Sequence, residues 1–150
     1  MDFSWTYAAD LAAPLLAAII LALPTAWNRE ASSRIIGLRT FPLVSLGACA
    51  YVMVGEAFIG PNSPDAMARI MQGLITGVGF IGGGAILKND DHVKGTASAA
   101  SIWITGALGG AVGLQLWTLA ILLSVMNFVV VFALSILKPK IKTVDEHENY

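Results

Sequence analysis

An all-α membrane fold of five spanning helices is predicted by three observations. The chain of 150 residues is 56% hydrophobic and 13% charged, against about 45–50% apolar and about 25% charged in soluble domains. Its mean hydropathy is +0.71. Five apolar stretches approach the roughly 17–25 residues that a membrane-crossing helix requires. Eight of the nine Lys and Arg residues fall in two alternate connections between those stretches and in the tail after the fifth.

The first stretch runs from about Ala8 to Trp27, with Pro14 and Pro24 inside it. Proline removes a backbone donor, so a kink is expected near Pro24. Residues 1–28 contain no Lys or Arg. The basic n-region of a cleaved signal is therefore missing, and this stretch is expected to be retained as a span. The second runs from about Thr40 to Phe58 and the third from about Ala68 to Leu87. The fourth, about Thr96 to Gly113, is the weakest by hydropathy, being mostly Ala, Gly and Ser. The fifth, about Leu116 to Leu137, is bulky and lacks glycine, which suits a lipid-facing helix. Residues 1–142 thus read as one transmembrane domain and 143–150 as a short polar tail.

Charge sets the expected orientation. Arg29, Arg34 and Arg39 lie between stretches one and two, Lys88 and Lys94 between three and four, and Lys138, Lys140 and Lys142 after five. Cytoplasmic loops are enriched in Lys and Arg. Five crossings put all eight on the cytoplasmic side, the N-terminus outside and the C-terminus inside. Arg69 alone stays on the other side, with Glu56 and Asp65. Trp5, Tyr7, Trp27 and Trp117 stand at the ends of stretches, as interfacial aromatics do. Trp103 lies within stretch four and reads as a packing residue.

The segment Gly73 to Gly84 holds six glycines and no charge. Its Gly77-x-Gly79-x-x-Gly82 match would suit a dinucleotide only after a strand in a βαβ unit. The residues before it continue the same apolar run, so close helix packing is the better reading. At helical spacing Gly73, Gly77 and Gly84 share one face, and Gly79, Gly82 and Gly83 another. This places the third helix at the centre of the bundle. Gly106 and Gly110 form a matching small-residue pair on the fourth, either within one chain or across a dimer interface. Asn127 is expected to bond to a neighbouring helix.

The net charge of −1 gives no basic face for nucleic acid. The single cysteine, Cys49, can form neither an internal disulfide nor a cysteine zinc site. No nucleophile–base pair, His ligand spacing or series of buried carboxylates appears, so neither an enzyme nor a proton-coupled transporter is expected. Glu30 is a candidate partner for the neighbourhood of Arg29 or for Arg39. Asp65 and Arg69 have the spacing of a helix-surface ion pair, and Pro64-Asp65 also suits a helix start. Two carboxylates are a weak Mg²⁺ site, and the metal assignment is left open. Asp90-Asp91-His92 reads as a polar turn, with loose divalent-ion or partner contact as the alternative.

Taken together, the motifs resemble one family. They are Arg29-Glu30, Gly37-Leu38-Arg39-Thr40 with Leu43-Val44 and Gly47, Asp65-x-x-x-Arg69-Ile70, Gly77 to Ile86, and Val93-Lys94-Gly95 with Ala99 to Trp103. In order and spacing this is similar to the MgtC/SapB family of bacterial inner-membrane proteins, over roughly residues 20 to 113. The resemblance implies five spans, a cytoplasmic C-terminus and a non-enzymatic role in adaptation to low Mg²⁺, regulatory or accessory. A channel or transporter for a divalent cation or small solute is the alternative. Contact with another membrane protein, the F-type ATP synthase or a Mg²⁺ transporter, is implied by the virulence members. Those members carry a soluble C-terminal domain, and the chain resembles a short form without it. It departs from the family pattern at Asn28, at Lys94 and at Thr96-Ala97-Ser98. A lysine in place of arginine loses bidentate geometry. A homodimer is the favoured assembly.

Overall fold

The computed structural model describes residues 4–33, 36–59, 63–89 and 92–141. Five helices carry the chain: α1 (Trp5–Ser33), α2 (Thr40–Phe58), α3 (Pro64–Gly84), α4 (Thr96–Gly113) and α5 (Trp117–Ile141). Between α3 and α4 lies a small antiparallel hairpin of β1 (Leu87–Asn89) and β2 (His92–Lys94). The all-α class holds, with this hairpin as its one addition among the described residues. Asp90, Asp91, Arg34 and the tail from 142 lie outside the described residues.

α1 outruns the expected apolar stretch at both ends. It stays helical through Pro14 and Pro24 and carries Asn28, Arg29 and Glu30 on its last turns. α2 and α4 coincide with their apolar stretches. α3 begins four residues earlier than its stretch, because Pro64 suits the first helical position and Asp65 sits favourably in the first turn. It also ends three residues earlier. Gly82, Gly83 and Gly84 weaken its last turn. The Ala85 and Ile86 amides then bond back to the Gly82 and Gly83 carbonyls, at 3.0 and 3.1 Å, and Leu87 enters the hairpin.

Side-chain contacts fix an up-and-down order. Gly55 near the end of α2 meets Ile70 near the start of α3, and Gly82 near the end of α3 meets Ala99 near the start of α4. The Ser124 hydroxyl donates to the Leu21 carbonyl at 2.6 Å, tying α5 to α1. Asn127 Nδ2 donates to the Ser101 carbonyl at 3.3 Å and approaches Thr105 Oγ1 at 3.4 Å, tying α5 to α4. The role expected of Asn127 is the one it has.

The centre of the bundle is α4, which packs on each of the other four helices. This corrects the expectation for α3, which packs chiefly on α4 and less extensively on α2. Of the six glycines in the α3 run, only Gly82 is tight against a neighbour, its Cβ position lying 3.2 Å from the Ala99 carbonyl oxygen. Gly73, Gly77, Gly79, Gly83 and Gly84 face open space. Close approach is instead the work of α4. A Cβ on Gly106 would strike Val78, one on Gly109 would strike the Ser45 carbonyl, and one on Gly113 would strike Val52 and the Cys49 carbonyl. Gly110 has only ordinary contacts, at 3.9 Å. Gly109, which sequence spacing did not single out, is the tightest of the four.

Trp103 is half-exposed rather than packed inward. α5 shows Ile121, Leu122, Val125, Met126, Val129 and Val130 on its outer face, all about half-exposed, as a lipid-facing helix does. Two helical segments are long and apolar enough to cross a membrane, Trp5–Ser32 and Thr40–Phe58, and α5 holds a shorter apolar stretch, Trp117–Ala133. α3 and α4 fall below that measure, α3 because of Arg69, Gln72 and its glycines and α4 because of its Gly, Ser and Thr.

Candidate functional site at the basic end of the bundle

The up-and-down course gathers the basic residues. Arg29 lies at the end of α1, Arg39 immediately before α2, Lys88 and Lys94 on the hairpin after α3, and Lys138 and Lys140 on the last turn of α5. Glu56, Asp65 and Arg69 lie at the opposite end.

The turn from α1 to α2 is built around Glu30. Its Oε2 accepts the backbone N–H of Leu38 at 3.0 Å. Gly37 presses against the same residue: a Cβ there would stand 2.7 Å from both Glu30 Cβ and Glu30 N. The Gly37 carbonyl in turn accepts the amides of Thr40 and Phe41, at 3.1 and 3.2 Å, which closes the first turn of α2. Glu30 is therefore a turn-forming residue and makes no ion pair with Arg39. Arg29 is buried at 8% exposure, while Arg39 is exposed. Asn28 Oδ1 and Ser45 Oγ are buried without a hydrogen-bond partner.

The hairpin is closed by Gly95. Its φ of 91° is left-handed, a region open to glycine at little steric cost. A Cβ there would overlap the Ala85 carbonyl oxygen. The family-like run Val93-Lys94-Gly95 thus folds Lys94 back over the end of α3. Lys94 is exposed and pairs in register with Leu87.

At the opposite end Asp65 and Arg69 are both exposed and form no ion pair. Asp65 acts through its place in the first turn of α3. Among the described residues no group of three His, Cys, Asp or Glu side chains could hold a metal ion.

Between α2 and α3 runs a groove of about 800 Å³. Leu43, Gly47 and Tyr51 line it from α2, and Gly73, Leu74, Gly77 and Phe80 from α3. Arg39 and Thr40 stand at its basic end. The sequence carried two signals for it, the open faces of Gly47 and of Gly73/Gly77, but spacing alone cannot distinguish a filled interface from an open one.

An antiparallel bundle with apolar outer faces and one basic end defines a helical membrane protein. The chain belongs to the MgtC family, whose model matches residues 15–140. It is 38% identical over 119 residues to Protein SrpB of Synechococcus elongatus, covering 72% of this chain and 65% of that protein. It is 34% identical over 105 residues to Protein MgtC of Brucella abortus, covering 70% of this chain and 43% of that one. It is 34% identical over 100 residues to Protein MgtC of Salmonella typhimurium, covering 67% and 42%. The chain therefore matches less than two thirds of the length of each of these relatives. No solved structure matches it.

Proposed function

We propose that this chain is a non-enzymatic, five-span protein of the bacterial inner membrane that acts as a regulatory or accessory component of Mg²⁺ homeostasis. Its N-terminus lies outside and its C-terminus in the cytoplasm. The observation that carries the reading is the partition of charge: eight of nine basic residues fall in alternate parts of the sequence, and the six of them that the structure describes lie at one end of the five alternating helices. Membership of the MgtC family supports the Mg²⁺ assignment. The protein works through contact with another membrane protein or a second copy. The α2–α3 groove is apolar along its body, which speaks for a contact role over ion conduction.

A complementation experiment tests this. In a strain deleted for its own family member, expression of the chain is expected to restore growth at limiting Mg²⁺. The purified protein in liposomes is expected to leave Mg²⁺ entry at background. Saturable Mg²⁺ flux that disappears in Asp65→Ala would replace this reading with a transporter.

A further inference from the structure

The groove between α2 and α3 has the dimensions and polarity of an amphiphile. From Arg39 to Tyr51 it follows α2 for twelve residues, about 18 Å at about 1.5 Å per residue. One leaflet of a hydrocarbon core about 30 Å thick is about 15 Å deep. The groove therefore reaches from one face of the bilayer to near its middle. Its body is apolar. Its width exists because Gly47, Gly73 and Gly77 have nothing within 4 Å of their Cβ positions.

The mouth is different. Arg39 is exposed and, among the described residues, makes no ion pair. Thr40 lines the same mouth. No side chain caps the N-terminus of α2, so the positive end of a helix of 19 residues faces the same mouth. Its first amides are already spent on the Gly37 carbonyl and Pro42 has none. The direct contacts to an anion must come from the Arg39 and Thr40 side chains. Basic pockets between membrane helices on the cytoplasmic side bind anionic headgroups.

We infer that the α2–α3 groove is a binding site for an anionic phospholipid of the cytoplasmic leaflet, with its phosphate at Arg39 and Thr40 and an acyl chain lying along Gly47, Gly73 and Gly77. The inference rests on the membrane orientation proposed above. A second copy of the chain would fill the same apolar body but would leave the unpaired cation at the mouth without a counter-charge. The free guanidinium favours the lipid.

Native mass spectrometry from nanodiscs of mixed phosphatidylglycerol and phosphatidylethanolamine tests this. The wild-type protein should retain phosphatidylglycerol above its share of the bilayer. Arg39→Gln should lower that enrichment about fivefold, the contribution of one arginine near a membrane surface. Gly77→Leu, or Gly47→Leu from the facing wall should Gly77→Leu fail to fold, should abolish retention of both lipids. Equal retention in wild type and Arg39→Gln, or unchanged retention in both leucine variants, overturns the inference. So does a lipid-free dimer that becomes monomeric when the groove is filled. A protein that purifies without detergent and does not enter nanodiscs contradicts the membrane reading itself, which separates the two failures.

Discussion

Glu30 Oε2 accepts the Leu38 backbone N–H at 3.0 Å across the connection between α1 and α2. Eight residues separate the two, so this single bond sets where α2 begins. Gly37 makes it possible, because any side chain there would collide with Glu30. The Arg29-Glu30 and Gly37-Leu38-Arg39 motifs are thus the two halves of one turn. Glu30→Gln keeps an acceptor oxygen and is expected to be near neutral. Glu30→Ala is expected to cost about 1 kcal/mol. Gly37→Ala is expected to cost more, since the colliding atoms include backbone. Thermal denaturation in detergent, followed by size-exclusion chromatography, ranks the three.

The glycines divide by what surrounds them. Gly109→Ala drives a methyl into the Ser45 carbonyl and Ala48 and is expected to cost about 1–3 kcal/mol, as overpacking does. Gly77→Ala and Gly79→Ala add a methyl to open space. They also improve helix propensity by up to about 1 kcal/mol each, and are expected to be neutral or stabilising. The same melting assay reads all three. A loss at Gly77 as large as that at Gly109 would show α3 to be the packed helix.

Much of the fold was legible in the sequence for a physical reason. Apolar runs of the right length and alternating charge reflect the same bilayer constraint, so the five helices could be read with α2 and α4 at their observed bounds. The errors came where that constraint is silent. Hydropathy put the start of α3 four residues late, although Pro64-Asp65 marked it, and does not register the short hairpin at Leu87–Lys94. The periodicity of Gly73, Gly77 and Gly84 identifies a face but not what lies against it. A tight interface and an open groove both use small residues. The charged positions were found, but of their roles only that of Asp65 at the start of α3 was. Glu30 serves its own turn, and Asp65 and Arg69 stand apart, because an i,i+4 spacing permits an ion pair without requiring one.

Asn127 reaches from α5 to the Ser101 carbonyl and the Thr105 hydroxyl of α4. Both distances exceed 3.2 Å, so the bonds are weak ones. Interhelical bonds of this kind average about 0.6 kcal/mol in membranes. Asn127→Leu is expected to lower stability by about that amount and to leave the oligomeric state unchanged. A loss of several kcal/mol, or a change of assembly in cross-linking, would give Asn127 a larger role than this geometry supports.

Side-specific cysteine labelling addresses the membrane orientation directly. The native Cys49 is buried, so its background is low. Asp65→Cys and Lys88→Cys place thiols at exposed positions at opposite ends of the bundle. With a membrane-impermeant maleimide on intact cells, Asp65→Cys should label at once. Lys88→Cys should label only after the inner membrane is opened. Labelling of both positions from the same side would contradict the alternating five-span arrangement on which the account rests.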